Sequence, residues 1–365
     1  MKANKKVPKI LIFSDPHGHN YKEFSIIEDG INTRLMDCVE ALKKIHYSAD
    51  KNEVDMIWFT GDLFHLKNNL DNKVIQLIMH EMKDLAMQYP LLLVPGHHDL
   101  YMWSSNPVLL EMLAEFSDQV VVVDKPMWIK DSRFFNIPIY AEPCTRKIKE
   151  LTDRIENLET NIQEGPIFLA HQDMLGMRYG GFVVDQGLDA ELLSHKFRWS
   201  FIGHYHNPEK MELHKGDVDL FKDNVISVGA PLQHNFGDAG EPRGWWIIRI
   251  GDDGHEFDPE QIDFITNDFS PQFVDFTVKE NQKFGIIPGL ADRDFYRIKV
   301  EGKDLPEELN SIRWKRISHT ISGQARRRTT ISFSDKKEDI IEKYVKARGG
   351  ELDYKRLIDM GRKYL

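Results

Sequence analysis

The 365-residue sequence predicts a layered α/β domain over residues 1–269, followed by a small α+β domain over 270–334 and a helical segment over 335–365. Three observations lead there. Short apolar runs recur along the chain, each is continuous rather than alternating, and helical periodicity fills several of the gaps between them. Continuous runs belong to strands covered on both faces, and strands that alternate with helices build layered α/β domains.

In chain order the runs are KILIFSD (Lys9–Asp15), VDMIWFTGD (Val54–Asp62), LLLVPGHHD (Leu91–Asp99), PIFLAHQ (Pro166–Gln172), RWSFIGHYH (Arg198–His206) and NVISVGAP (Asn224–Pro231). Between them, Val74, Leu77, Ile78 and Met82 put a helix over Asp71–Gln88. A second helix is expected over Arg146–Ile162, where Ile148, Leu151, Ile155, Leu158 and Ile162 form one stripe. Such a stripe can be a coiled-coil seam, but packing on a sheet is the simpler reading. After Asn267 the pattern changes. FVDFTV and FYRIKVEG read as shorter, partly alternating strands, and DLPEELNSI as a short helix. Two amphipathic helices are expected over Lys336–Arg348 and Leu352–Tyr364, separated by Gly349 and Gly350.

Composition narrows the class. With 41% hydrophobic and 29% charged residues the chain is ordinary for a globular protein. Its two cysteines, Cys38 and Cys144, form no metal or redox spacing, which fits a reducing compartment. The basic MKANKK start leads into a strand-like run rather than a signal peptide's apolar stretch, and no run approaches the ~20 apolar residues of a membrane span. A cytoplasmic protein with no membrane partner is expected. The net charge of −10 argues against a protein that coats nucleic acid by bulk electrostatics. It leaves room for a site where bound cations supply the positive field.

Seven of the fifteen histidines fall in five polar clusters at strand ends. These are Asp15-Pro16-His17, Gly61-Asp62-Leu63-Phe64-His65, Gly96-His97-His98-Asp99, His171-Gln172 and Gly203-His204-Tyr205-His206. Any one of them is explained by a hydrogen-bonded loop histidine; five together are not. Loops at the carboxyl ends of strands build the sites of open α/β sheets. A pair of divalent ions that clamps the oxygens of a phosphoryl displacement needs a bridging carboxylate plus nitrogen and oxygen ligands from several loops. Aspartates and neutral imidazoles suit manganese, iron or zinc. Glycine before Asp62, His97 and His204 is expected to let the backbone turn sharply.

The series D-x-H, G-D-x-x-H, G-H-H-D, H and G-H-x-H resembles that of the calcineurin-like metallophosphoesterases. Within them, His65, the turn VGAPLQHNFGD, the strand GWWIIRI and the C-terminal extension are similar to the nuclease subunit of SbcCD-type repair complexes. The resemblance implies a metallophosphoesterase sandwich, β-sheets flanked by helices, with a small capping domain. It implies two divalent ions, Mn2+ foremost, with Mg2+, Fe2+ or Zn2+ as alternatives. Asp15, His17 and His206 would hold the first, Asp62 would bridge, and His171, His204 and position 97 would hold the second. His98 would be general acid or transition-state stabiliser, and His65 a second catalytic histidine at the phosphate. A metal-activated water would attack phosphorus without a covalent enzyme intermediate.

Position 97 departs from the family, which has asparagine there. Either the imidazole of His97 takes the ligand position, or it swings away and water replaces it. The resemblance further implies DNA as substrate, exonuclease action on duplex ends and endonuclease action on single strands. It also implies a homodimer and terminal helices that dock on an SMC-like, SbcC-type ATPase. For DNA contact the sequence offers Arg313, Lys315, Arg316, Arg326, Arg327 and Arg328, in a stretch from Leu309 to Ser334 without an acidic residue. A solvated basic face is the competing reading, and Trp314 either stacks on a base or packs. Asp99, His19 and His234 are expected to support the site rather than to ligate. Two rival functions remain: a nucleotide or small-molecule phosphodiesterase with the same ions, and a noncatalytic scaffold. The absence of a DRG-type sequence after Gly61-Asp62 argues against a protein phosphatase.

Overall fold

The structure, a computed structural model, describes residues 8–101, 106–129, 138–179, 182–211, 224–249, 262–279, 293–301, 309 and 312–320. The first half of the chain runs β1 (Lys9–Phe13), a hairpin of β2 (Ile27–Glu28) and β3 (Ile31–Asn32), α1 (Thr33–Lys51), β4 (Met56–Phe59), α2 (Asn72–Gln88), β5 (Leu91–Leu93), α3 (Val108–Ala114) and β6 (Val120–Val122). The second half runs β7 (Met127–Ile129), β8 (Ile139–Glu142), α4 (Ile148–Glu156), β9 (Ile167–His171), a hairpin of β10 (Arg178–Tyr179) and β11 (Phe182–Val183), α5 (Ala190–Lys196), β12 (Trp199–Gly203), β13 (Glu209–Lys210) and β14 (Val225–Ser227). The strands β15 (Gly244–Arg249) and β16 (Ile262–Thr266) then return to the first sheet.

Two six-stranded sheets result, ordered β16-β15-β1-β4-β5-β6 and β13-β14-β12-β9-β8-β7. Alternate residues of each apolar run face opposite ways, and both faces are covered. Ile10, Ile12, Met56, Trp58 and Leu92 meet Ile139, Ile167, Leu169, Phe201 and Ile226 of the other sheet. Leu11, Phe13, Ile57, Phe59, Leu91 and Leu93 instead pack under α1 and α2, through Leu35, Leu42, Ile45, Ile78, Met82 and Leu85. On the far side, Tyr140, Phe168, Ala170 and Ile202 pack against Leu151 and Ile155 of α4 and Leu193 of α5. The layered α/β sandwich expected from the sequence is therefore present, as a four-layer stack of helix, sheet, sheet and helix.

The helices differ from expectation at the end of α4 and in the presence of α1, α3 and α5, three helices not expected from the sequence. α1 is not among those read from the sequence, although Leu35, Val39, Leu42, Ile45 and Ala49 carry its buried stripe. Its start is specified by Asn32, whose side chain accepts hydrogen bonds from the amides of Arg34 and Leu35. α4 ends at Glu156 instead of reaching Ile162. There Asn157 turns its own amide N–H and its side-chain amide back onto the carbonyl of Asp153, and so closes the helix. Leu151 and Ile155 lie on the sheet, as the simpler reading of that stripe required.

Beyond β16 a third sheet forms from β17 (Phe273–Lys279), β18 (Phe295–Glu301) and β19 (Lys315–Thr320), all parallel. It has its own apolar cluster, including Val278, Tyr296, Ile298, Val300 and Leu309. The first two strands match FVDFTV and FYRIKVEG; the third lies inside the basic stretch, where no strand was expected. Most of DLPEELNSI and both terminal helices lie outside the described residues. Among the described residues no helix is long and apolar enough to cross a membrane.

Candidate metal centre

Each of the five polar clusters leaves the carboxyl end of a parallel strand. Asp15 and His17 follow β1, Asp62 follows β4, and His97 and His98 follow β5, all in the first sheet. His171 ends β9, and His204 and His206 follow β12, in the second. The two sheets thus deliver their ligand-bearing ends to one edge of the sandwich. Asp15, His17, Asp62 and His204 have positive φ, at 54°, 46°, 61° and 105°. That conformation is uncommon outside glycine and costs roughly 1–3 kcal/mol per residue. Hydrogen bonds hold it: Asp15 N–H donates to Gly61 O (2.9 Å), His17 N–H to Asp62 O (3.2 Å) and His204 N–H to Asp15 Oδ2 (3.0 Å). The Asp99 carboxylate accepts the amides of Asp62, Leu63 and Gly96 at 2.8–2.9 Å, which places it in the supporting role expected of it.

Asp62 sits at the middle. Its Oδ1 accepts the His98 amide at 2.7 Å, while Oδ2 lies 3.0 Å from His97 Nδ1 and 3.3 Å from His171 Nε2. Those two nitrogens are 3.2 Å apart. Ligands about 2.1 Å from a shared ion stand about 3.0 Å apart at octahedral angles and about 3.4 Å apart at tetrahedral ones, so this triangle has the dimensions of one face of a coordination shell. The imidazole of His97 faces into the site and is not swung away. Asp62, His97, His171 and His204 each place a ligand atom within 4.8 Å of the others, and so do Asp15, His17 and His206. His17, Asp62 and His98 form a third such group, which joins the first two.

The ring orientations follow from second contacts. His171 Nδ1 is 2.8 Å from the Thr60 carbonyl oxygen, to which it donates, so Nε2 is left for the centre. His204 Nε2 lies 3.0 Å from Asp173 Oδ1, and His206 Nδ1 lies 3.3 Å from Asp238 Oδ1. Among the described residues, Asp15 Oδ1, His17 Nδ1, His98 Nδ1 and His204 Nδ1 are buried without a hydrogen-bond partner. Burying a polar atom unpaired costs about 1–3 kcal/mol, and four at one place describe a site shaped for cations. Carboxylate oxygens with imidazole nitrogens are a donor set that fits two divalent ions.

The electrostatics agree. Burial opposes ionisation of Asp15 and Asp62, yet the imidazoles of His171 and His17 hold both well below the usual carboxylate range. Burial also opposes the charged form of His171, but Asp62 and Asp15 pull it up to about 9. A buried imidazole drawn so strongly toward its cation reports a field that favours positive charge. His98 and His65 behave oppositely. Burial, reinforced by neighbouring imidazoles, pushes them down to about 3 and about 4. Their rings stack, with centroids 5.6 Å apart and planes 17° from parallel. Both line a cavity of about 920 Å3 whose walls also include Tyr21, Lys22, Arg34 and Val184.

All nine residues singled out for metal or catalysis therefore meet at one centre. His234 supports it through Nε2, which lies 3.0 Å from Asp15 O, and His19 packs beside His65. The basic stretch divides. Arg313 is ion-paired with Glu28 at 3.2 Å, Arg316 is ion-paired with Glu23, and Lys315 Nζ donates to Ile312 O at 3.0 Å. Trp314 is half-buried against Phe295 and packs. Arg326, Arg327 and Arg328 lie outside the described residues. Sequence reasoning missed Asp173, Asp238 and Arg34. The first two stand next to recognised motifs, after His171-Gln172 and at the end of HNFGD, and that adjacency was their only signal. Arg34 had none. Its buried guanidinium donates to His234 O at 2.8 Å and packs over Tyr21, Phe273 and Phe295, which ties the third sheet to the centre.

Comparison with known proteins adds three findings. The calcineurin-like phosphoesterase family model matches residues 8–227. The chain is 21% identical over 320 residues to exonuclease subunit 1 of Enterobacteria phage T4, which spans 85% of this chain and 86% of that protein. It is also similar to two solved structures. One, from Thermus thermophilus, is 13% identical with a TM-score of 0.37, over 62% of this chain and 90% of that one. The other, a dimetal phosphatase from Danio rerio, is 9% identical with a TM-score of 0.39, over 68% and 94% respectively.

Proposed function

This chain belongs to the calcineurin-like phosphoesterase family and is a metal-dependent phosphoesterase, and from that premise we propose that it is a DNA nuclease working as a subunit of an SbcCD-like repair or recombination complex. The observation that carries the reading is the pair of ligand groups meeting at Asp62 beneath an open cavity, with His98 and His65 stacked on its wall. The similarity to a phage exonuclease subunit over most of both chains supports DNA as the substrate.

In this reading Asp15, His17 and His206 hold one ion, and His97, His171 and His204 hold the other, with Asp62 between them. When bound, the ions supply water activation and neutralise charge on the phosphoryl oxygens. Manganese leads the candidates on the family resemblance, and the imidazole-rich donor set, which disfavours magnesium, suits iron and zinc as well. The protein's own contribution lies in His98 and His65. Burial keeps both neutral at pH 7, so each carries one N–H and one bare ring nitrogen. His98 points its N–H at the departing oxygen as a hydrogen-bond donor, and His65 holds the phosphate from the neighbouring face. This narrows the role of His98 toward transition-state stabilisation, since a ring so reluctant to ionise is a poor store for an acidic proton. Terminal helices docked on an SMC-like ATPase, and a homodimer within the complex, complete the proposal.

The rival substrate class, a nucleotide or small diester, draws on one observation: Arg313 and Arg316 are engaged with Glu28 and Glu23 rather than facing solvent alone. One experiment separates the two. Purified protein is given linear duplex DNA, single strands and bis(p-nitrophenyl) phosphate with Mn2+ or Mg2+, with and without a candidate ATPase. DNA cleavage that requires the metal is expected. Hydrolysis of the small diester alone overturns the nuclease reading.

A further inference from the structure

We propose that Asp173 and Asp238 are positioning residues that hold His204 and His206 in opposite ring orientations, so that His204 offers Nδ1 to one ion and His206 offers Nε2 to the other. The inference rests on the two-ion reading of the site. His204 and His206 are separated by a single residue on the turn after β12, yet they belong to different ligand groups. Side chains leaving the backbone so close together reach separate ions most simply by presenting different ring nitrogens.

The contacts show which nitrogen each presents. His204 Nε2 is engaged by Asp173 Oδ1 at 3.0 Å, and its Nδ1 is buried with no hydrogen-bond partner among the described residues. For His206 the engaged atom is Nδ1, at 3.3 Å from Asp238 Oδ1, which leaves Nε2. An imidazole that donates one N–H to a carboxylate is locked in one tautomer, and its other nitrogen becomes a stronger ligand.

Both carboxylates are themselves held. Tyr205, between the two histidines, donates its hydroxyl to Asp173 Oδ1 at 3.3 Å. Asp238 is buried, accepts the amides of His234 and Asn235 through Oδ2 at 2.8 and 3.3 Å, and pairs through Oδ1 with Arg243 Nη2 at 3.0 Å. Arg243 is in turn fixed on Asn207 Oδ1 at 3.0 Å. Asp173 is about half exposed, so its replacement disturbs little of the core. The difference gives Asp173 the cleaner mutational test, while Asp238 is tested best in the intact protein.

The experiment is calorimetric titration of the full chain with Mn2+, paired with histidine 15N spectra of the Zn2+-loaded protein. Asp173→Ala should weaken one of two sites by about 10–100-fold and leave the other, and Asp173→Asn, which keeps an acceptor oxygen, should recover part of the loss. In the wild-type spectra His204 should be metal-bound through Nδ1 and His206 through Nε2, a readout that a purely structural role would not set. Unchanged affinity in Asp173→Ala, or either histidine bound through the other nitrogen, overturns the assignment. Fewer than two sites in the wild-type titration would instead overturn the two-ion reading beneath it.

Discussion

Replacing Gly203 by alanine should damage fold and metal centre together. A Cβ at this position would fall well inside contact distance of the Thr60 carbonyl oxygen and Ser14 Oγ, and 2.9 Å from His171 Nδ1. Ser14 can rotate away, but the Thr60 carbonyl cannot. Its residue continues the β1–β4 ladder through Thr60 N–H to Phe13 O at 3.1 Å, and the carbonyl itself accepts from His171 Nδ1 at 2.8 Å. Either the end of β12 moves away from the Thr60 carbonyl or that hydrogen bond breaks. Overpacking a tight core costs about 1–3 kcal/mol. Leaving a buried imidazole N–H unpaired instead costs about 1–3 kcal/mol. By either route the cost, about 1–3 kcal/mol, lowers Tm by about 1–4 °C at about 1.3 °C per kcal/mol for a chain of 365 residues. His171 freed from its carbonyl should also weaken ion binding by about 10–100-fold. Thermal melts and Mn2+ calorimetry read the two effects separately. A Gly203→Ala protein with wild-type Tm and wild-type Mn2+ affinity would show that the close approach does not constrain the centre.

Three further outcomes are expected. His98→Ala should keep both ions and lose about 10²–10⁴-fold in hydrolysis, and wild-type turnover in that variant would remove His98 from the mechanism. Arg313→Gln with Arg316→Gln should leave Tm nearly unchanged, because exposed ion pairs contribute only about 0–1 kcal/mol. It should also lower the salt slope of DNA binding by about one for each phosphate no longer neutralised; an identical slope would assign both arginines to the surface alone. For pH dependence, burial raises Asp37 to about 6 from 3.8 despite the opposing charges of Arg34 and Arg293. The folded chain therefore binds this proton more tightly than the unfolded one. The stabilisation is complete below about 3.8 and is lost as pH rises through about 6. The Tm of wild type relative to Asp37→Asn should fall across that window, and a difference independent of pH would contradict the burial argument.

Much of the centre was legible because metal chemistry restricts residue type. Asp15, His17, Asp62, His97, His98, His171, His204 and His206 all sit where a strand's apolar run stops, and few other roles ask for that pattern five times in order. The glycines were read only in part. Gly61 does turn through a positive φ of 105°, but Gly96 and Gly203 do not. They are glycine because Asp62 and Thr60 lie where a Cβ would be. A one-dimensional reading sees a small residue before a ligand and infers a turn, whereas the constraint is an atom from another strand.

Other misses share that cause. The stripe of α1 is diluted by charged neighbours, and α4 stops where Asn157 closes it, a choice made by side-chain geometry rather than periodicity. Arg313 and Arg316 read as free cations because Glu28 and Glu23, which pair with them, lie almost three hundred residues earlier in the sequence. By itself, then, the sequence determined the layered sandwich, the family's ligand series and the type of chemistry, since strand burial and metal ligation each impose local residue patterns. Only the tertiary structure decided that His97 turns inward, which ring nitrogens of His204 and His206 are engaged by Asp173 and Asp238, and where the arginines of the third sheet are engaged. Those outcomes depend on contacts between segments far apart in the chain, and no local pattern records them.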